Sequence, residues 1–120
     1  CEEGYLDIGI SCYNQSDLAV LQEFIDNSGD AILYMDDNGD GDLEPLEFDG
    51  LIWFSEYRDI YYDLKSINCA YCQLSGDIPS NIGDLTKLET LKLHNNNLTG
   101  SIPESIGNLT ELDYLYLYNM

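Results

Sequence analysis

Basic residues are scarce in this chain of 120 residues. Four lysines and arginines stand against 23 aspartates and glutamates, which gives a net charge of −19. Nucleic acid is therefore excluded as a partner, because binding it depends on neutralising phosphates with Lys and Arg. An anionic membrane surface is excluded on the same grounds. Charge repulsion of this size opposes a compact fold, so either bound cations relieve it or the acidity only keeps the protein soluble in a salty medium.

Long apolar segments are also absent from the sequence. No run of about eighteen apolar residues occurs, so the sequence predicts no transmembrane segment. There is no basic segment followed by an apolar stretch, and the chain starts at Cys1 rather than Met. We therefore expect that a leader peptide has been removed.

A catalytic pattern is missing as well. His94 is the single histidine, and no Ser-His-Asp or Cys-His spacing accompanies it, although a catalytic base needs an oriented partner and a nucleophile. The carboxylates are numerous enough for a paired-acid hydrolase by count alone, but repeat positions such as Glu89 and Asp113 are typically solvated. The sequence therefore predicts that the protein is not an enzyme.

The C-terminal half of the chain repeats itself at an offset of 24 residues. The coinciding pairs are Leu74 and Leu98, Gly76 and Gly100, Ile78 and Ile102, Pro79 and Pro103, Ile82 and Ile106, Gly83 and Gly107, Leu85 and Leu109, Leu88 and Leu112, Leu91 and Leu115, and Leu93 and Leu117. An internal period of this length is typical of solenoid proteins. Within one period, Leu91 and Leu93 alternate with Thr90 and Lys92, as in a short strand with one buried face.

The segment LTKLETLKLHNNNLTGSIPESIGN resembles a leucine-rich repeat, and its LTGSIPESIG ending is similar to the plant-type subclass. The resemblance covers about residues 61–120. It implies an α/β solenoid, a right-handed leucine-rich-repeat coil with a parallel β-sheet, whose coils are 61–84, 85–108 and a partial 109–120. Strands are expected at about 66–69, 90–93 and 114–117, and Asn96 is expected to bond backbone groups of adjacent coils.

The resemblance also implies a ligand-binding face made by the outward side chains of these strands. The residues of this panel are Thr90, Lys92, His94, Tyr114, Tyr116 and Tyr118. It implies recognition or adhesion, with a protein partner or another ligand, but does not say which.

Residues 1–60 are predicted to form an N-terminal cap on the first coil, because an open apolar end of a solenoid is unstable in water. Residues 1–15 are expected to be a loop, followed by a helix with Ser16 as its N-cap. Leu18, Leu21 and Ile25 give this helix an apolar stripe, and Asn27-Ser28-Gly29 ends it. A dense apolar run follows position 45 and includes Ile52, Trp53 and Phe54; Trp53 is interpreted as cap packing, with a ligand platform as the alternative.

Residues 36–47, DDNGDGDLEPLE, resemble the calcium loop of an EF-hand. The resemblance implies Ca²⁺ as cofactor, with Leu43 as an apolar plug and Gly41 at the sharp turn. The expected ligands are Asp36, Asn38, Asp40, Asp42 through its carbonyl, Glu44 through a water and Glu47 through both oxygens. No second EF-hand is present, so we predict one structural site in the helical cap; the alternative is a solvated acidic loop.

Four cysteines permit three disulfide pairings. Cys1 with Cys12 is the expected pair, and a lipid-modified Cys1 is the alternative. Cys69 and Cys72 fall on inward repeat positions and are interpreted as buried thiols, with a local disulfide as the alternative.

Three sequons place candidate glycans on Asn14, Asn97 and Asn108. The last two also follow from the repeat consensus alone.

These features predict an extracellular or cell-surface protein, a calcium-stabilised leucine-rich-repeat module for recognition or adhesion. The alternative is a structural subunit of an extracellular filament that stacks head-to-tail on further copies of itself. In that case the uncapped end of the solenoid, with its bare strand edge, would recruit the next copy.

Overall fold

The computed structural model describes residues 1–9, 11–48, 50–57 and 60–119. A β-hairpin, β1 (Tyr5–Ile8) and β2 (Ser11–Asn14), leads into one α-helix, α1 (Gln15–Ser28). Two 3₁₀ segments follow, Gly29–Met35 and Pro45–Glu47, and then β3 (Leu51–Tyr57) and β4 (Tyr61–Asn68). The repeats supply β5 (Ser75–Asp77), β6 (Thr90–Lys92), β7 (Asn97–Thr99) and β8 (Tyr114–Tyr116), with 3₁₀ turns at Ile82–Asp84 and Glu104–Asn108.

The main sheet has the strand order β1-β2-β4-β6-β8, with β3 paired to β4. The strands β2, β4, β6 and β8 run parallel, and Ile67, Leu91 and Leu115 lie in register across three of them. This register reproduces the repeat offset found in the sequence, so the prediction of three parallel strands is confirmed. A second small sheet, the parallel pair β5 and β7, was not predicted.

The core is built from the repeated leucines. Leu64, Leu74, Leu88, Leu91 and Leu93 are fully buried.

Asn96 lies among these leucines. Its Nδ2 donates to the carbonyl oxygens of Cys69 and Leu93, each at 2.8 Å, and its Oδ1 accepts from the backbone N–H of Leu74 at 3.1 Å. The predicted bonding of adjacent coils by this amide is confirmed, and it satisfies backbone groups that water cannot reach.

Helix α1 packs its predicted apolar stripe inward, with Leu18, Val20, Leu21 and Phe24 buried. At its C-terminal end, Asn27 donates from Nδ2 to the carbonyl oxygen of Asp77 on the first coil. Gly76 makes this approach possible: it has a φ of 71°, and a Cβ there would lie 2.5 Å from the carbonyl oxygen of Asn27. The helix therefore lies directly against the first coil.

Two predictions for the N-terminal region are wrong. Residues 1–15 are not a loop, because β1 and β2 form a hairpin and β2 joins the sheet beside β4. Ser16 is not the N-cap; the side chain of Asn14 accepts from the backbone N–H groups of Ser16 and Asp17. The glycines and cysteines of this segment look loop-like in sequence, but Gly9 serves as a turn with a φ of 67°.

The division at residue 60 between cap and repeats stays a prediction. One buried cluster contains side chains from both parts, such as Phe24 and Leu64. No helix in the described part of the chain is long and apolar enough to cross a membrane.

Candidate functional sites: the acidic loop and the strand-face panel

The acidic loop at 36–47 is folded around its own carboxylates. Asp36 accepts from the backbone N–H of Gly39 at 2.7 Å through Oδ1 and from that of Gly41 at 2.8 Å through Oδ2. Asn38 and Asp40 each accept, through Oδ1, from the backbone N–H two residues further on, at 2.9 Å. Gly41 has a φ of 93°, which only glycine adopts readily. The first half of the loop is therefore one tight turn lined with side-chain oxygens.

Glu47 closes the loop. Its Oε1 accepts from the backbone N–H of Asn38 at 3.2 Å, and its Oε2 accepts from the backbone N–H of Glu44 at 3.0 Å. Pro45 opens the 3₁₀ turn that carries Glu47 back toward the loop. The carboxylate of Glu47 thus reaches the backbone of both Asn38 and Glu44, two other residues of the predicted ligand set.

Negative charge is crowded at this closure. The hydrogen bond that Glu44 shares with Glu47, together with desolvation and the charges of Asp40 and Glu47, raises the pKa of Glu44 to about 7. The same shared hydrogen bond, with backbone donors, lowers the pKa of Glu47. A cation bound here would relieve this repulsion.

In the described residues, no three His, Cys, Asp or Glu side chains surround a common point closely enough to hold a metal. The predicted EF-hand set includes the carboxylates of Asp36, Asp40 and Glu47, which are therefore not gathered around one point in this structure; its other direct donors are Asn38 and the carbonyl oxygen of Asp42. The oxygen donors that calcium prefers are present along the loop, and the first half of the loop forms a tight turn. Calcium binding by Asp36, Asn38, Asp40, Asp42, Glu44 and Glu47 therefore stays a proposal.

Apolar residues in and just after the second half of the loop anchor it to the core. Leu43 and Phe48 are buried, and the ring centroid of Phe48 lies 6.2 Å from that of Phe24 on α1. Leu43 is buried, as its predicted role as an apolar plug requires, and that role stays a prediction. The loop is consequently tied to the helix that covers the first coil.

The structure brings the six residues of the strand-face panel together. Thr90 lies opposite Tyr114, and Lys92 lies opposite Tyr116. The His94 ring stacks on the Tyr118 ring with centroids 4.7 Å apart and meets the Tyr116 ring edge-on at 5.7 Å. The Nζ of Lys92 lies 5.0 Å from the centroid of the Tyr116 ring.

One residue of this surface was not predicted. Tyr71 is 74% exposed, and its ring centroid lies 6.4 Å from that of His94. Tyr71 and Asn95 both have a φ of 59°, and they occupy equivalent places in successive coils, so the repeat offset could have placed Tyr71 at this turn. The Nδ1 atom of His94 is buried and has no hydrogen-bond partner in the described part of the chain.

The apolar run on β3 has one member packed against the core and two that are exposed. Trp53 is partly buried and meets the Tyr13 ring at 5.1 Å, but Ile52 and Phe54 are 59% and 47% exposed. Alternation along a strand points them away from the core. Ile52 lies opposite Ser66, which lies opposite Thr90 in turn. Exposed Ile52 on β3 therefore lies in the same row across the sheet as Thr90 of the panel, with Ser66 between them.

The cysteines form two disulfides. Cys1 pairs with Cys12, as expected, and this sulfur is then not free to carry a lipid. Cys69 pairs with Cys72, so the interpretation of these two as buried thiols is wrong. The chain turns at Tyr71, and this brings the two Cα atoms to 5.2 Å.

The three sequons differ in their surroundings. Asn97 and Asn108 are exposed. Asn14 caps α1, and its Nδ2 donates to Asp63 at 2.9 Å, so its amide already has partners. Glycosylation stays a prediction at all three positions.

Comparisons with known proteins agree with this geometry. A family model described as leucine rich repeat matches residues 63–119. The crystal structure of the leucine-rich-repeat ectodomain of the receptor kinase SOBIR1 from Arabidopsis thaliana is similar, with a TM-score of 0.64 and 24% identity. The alignment covers 88% of this chain and 54% of that one, so this chain spans about half the length of that ectodomain. No curated protein matches the chain.

The likeness defines a leucine-rich-repeat-like fold with parallel strands. Because the sequence identity is low, the likeness concerns the fold alone, and what the chain binds has to be argued from its own residues.

Proposed function

We propose that this chain is an extracellular or cell-surface recognition module that binds a protein partner through the strand-face panel. The observation that carries the proposal is the cluster of exposed rings around His94, flanked by Lys92. Tyr114, Tyr116 and Tyr118 are 56%, 38% and 55% exposed. The packing of the coil does not require large side chains at these outward positions.

Tyrosine suits such a surface for a physical reason. Its ring offers a large apolar area with few rotatable bonds, and its hydroxyl offers a hydrogen bond at the edge. Tyr and Arg are enriched in the residues that dominate protein–protein binding energy. The mutual ring contacts of His94, Tyr116 and Tyr118 restrict their rotamers before binding, which lowers the entropy lost in a complex.

The disulfides and the fold support the location. Disulfides persist in oxidising compartments such as the extracellular space, and the chain has two. A leucine-rich-repeat ectodomain is typically a non-enzymatic recognition module, which agrees with the absence of a catalytic pattern in the sequence.

The proposal is tested by screening the chain against a collection of secreted and cell-surface ectodomains. We expect at least one partner whose binding is lost on Tyr116→Ala with Tyr118→Ala. Ile102→Ala is the matched control, because Ile102 is 46% exposed and lies outside the strand face. A partner that binds the panel variant as well as the unchanged protein would point to another surface.

Calcium is the second part of the proposal. Bound by Asp36, Asn38, Asp40, Asp42, Glu44 and Glu47, it would supply positive charge to crowded carboxylates. Leu43 and Phe48 are buried in the same cluster as residues of α1, so fixing the loop would also stabilise the packing of the helix. The role is structural: calcium would fix the loop against the helix rather than open a groove.

Filament formation remains the alternative function. In the described residues, β1 pairs only with β2 and β8 pairs only with β6, so the sheet has two open edges. Leu115 on β8 is 43% exposed. Against this, copies of net charge −19 repel one another, and further coils of a longer protein would cover the β8 edge. Electron microscopy in calcium would show ordered fibres if this alternative holds and dispersed particles if it does not.

A further inference from the structure

An apolar groove lies on the N-terminal side of the molecule, away from the strand-face panel. It runs between the β-hairpin, helix α1 and the end of the acidic loop, and its volume is about 630 Å³. Its apolar lining consists of Leu6, Ile8, Leu18, Ala19, Pro45 and Leu46. Volumes of about 300–1,000 Å³ are typical of ligand-binding sites.

Three side chains of this groove are presented to solvent. Leu6, Ile8 and Leu46 are 44%, 38% and 37% exposed, although fully buried leucines are plentiful elsewhere in the chain. Contiguous exposed apolar patches on a protein often mark interaction surfaces. Because its walls stay accessible, the groove cannot enclose a small molecule, and it fits a segment that lies along it.

An acidic depression of about 380 Å³ continues from the groove. The two share Gln22 and Glu44, and the acidic residues Asp26, Asp30 and Asp42 line the depression with Glu44. No lysine or arginine is among the described residues that line either one. Apolar surface therefore passes directly into a surface that is lined by acidic residues, with Asp26 and Asp30 outside the predicted calcium ligands.

We propose that the groove and the depression together bind a cationic amphipathic segment of a protein partner. Its apolar side chains fill the groove between β1, α1 and Leu46, and its Lys or Arg side chains lie over Asp26, Asp30 and Asp42. A second copy of this chain does not fit, because its net charge of −19 is repelled by the same carboxylates. The groove and the depression share no residues with the panel, so the proposal for one surface can be wrong while the proposal for the other is right.

The test uses a synthetic peptide of about 14 residues with Leu and Lys at amphipathic helical spacing. Two control peptides accompany it: one with Glu in place of Lys, and one with the same composition in scrambled order. Binding is measured by titration calorimetry in calcium at about 0.15 M salt, where non-specific charge attraction is screened. The amphipathic Lys peptide should bind, and neither control peptide should.

The variants locate the site. Leu6→Ser with Leu46→Ser removes apolar contacts without changing charge, and we expect binding to weaken about tenfold or more. Asp26→Asn with Asp30→Asn should weaken binding and reduce its salt dependence. The matched controls are Leu115→Ser and Glu104→Gln, which change an exposed leucine and an exposed carboxylate elsewhere.

Three results would overturn the proposal. One is an equal loss of binding in the matched controls, which would show that the groove is not the binding site. Another is equal binding of the scrambled peptide, which would indicate non-specific charge attraction. The third is a dimer, seen in sedimentation equilibrium, that Leu6→Ser with Leu46→Ser dissolves. That result would assign the groove to a second copy.

Discussion

Asp17 and Leu64 connect helix α1 to the first repeat strand. The Oδ2 of Asp17 accepts a hydrogen bond of 2.8 Å from the backbone N–H of Leu64, which is 47 residues further along the chain. Asp17 is only 2% exposed. A carboxylate in the first turn suits the helix dipole, but burial without a cationic partner is costly for the charged form.

The buried carboxyl of Asp17 should make stability depend on pH. Burial, with the charge of Asp63, raises its pKa from 3.8 to about 7. The folded state then holds a proton that the unfolded state has lost. The contribution to stability is full below pH 3.8, falls as the pH rises, and is lost above about pH 7. The loss is about 4 kcal/mol at most, at about 1.36 kcal/mol per pKa unit.

Asp17→Asn removes this titration and keeps an oxygen for the Leu64 N–H. We expect the variant to be more stable than the unchanged protein at pH 8 in urea unfolding, with the difference shrinking toward pH 4. A difference that stays constant over this range would show that Asp17 does not titrate in the folded protein.

Asn14→Ala should destabilise the protein by about 1–2 kcal/mol. The change removes the cap of α1 and the hydrogen bond to Asp63. Asn14→Ser retains a capping oxygen and should recover part of the loss, whereas Ser16→Ala should have little effect. If Ser16→Ala is the more harmful change in thermal unfolding, the assignment of Asn14 as the N-cap is wrong.

Asn96→Ala should destabilise the protein by about 2–4 kcal/mol, because it leaves several buried backbone groups of two coils without a partner. Asn97→Ala is the matched control next to it; that side chain is exposed, and a change within about 0.5 kcal/mol is expected. Equal effects of the two changes in urea unfolding would contradict the role given to Asn96.

Calcium should raise the melting temperature of the protein, and a chelator should reverse the rise. Asp36→Ala with Glu47→Gln should abolish the shift, because it removes the first and last predicted ligands of the loop. Asp37→Ala is the matched control: it lowers the charge of the same loop at a position that is not a predicted ligand. A melting temperature that is the same in calcium and in chelator would reject the calcium site.

The repeat half of the fold could be predicted because it is local and periodic. The constant offset between coils fixes which leucines are buried and which strands pair, and Asn96 follows from its place in the period. The panel residues follow for the same reason, since outward positions alternate with buried ones. The resemblance of the acidic loop to an EF-hand could be seen in the sequence because that motif is defined by the spacing of its oxygen-bearing residues.

The N-terminal half could not be predicted in the same way, because its structure depends on contacts distant in sequence. Strand β2 pairs locally with β1, but it joins the main sheet by pairing with Tyr61 and Tyr62, and nothing within residues 1–15 predicts that second pairing. Ile52 and Phe54 are apolar and resemble core residues in the sequence. Their exposure becomes evident only from the pairing of β3 with β4. The groove lined by Leu6 and Leu46 likewise joins two segments that are far apart along the chain.

The central claim is that the panel around His94 recognises a protein partner. The most direct test is the affinity of a partner from the ectodomain screen, measured by biolayer interferometry for three proteins: the unchanged chain, Tyr116→Ala with Tyr118→Ala, and Ile102→Ala. We predict a loss of about thirtyfold or more for the tyrosine variant and no change for Ile102→Ala. Equal affinity of all three would contradict the claim and assign recognition to another surface.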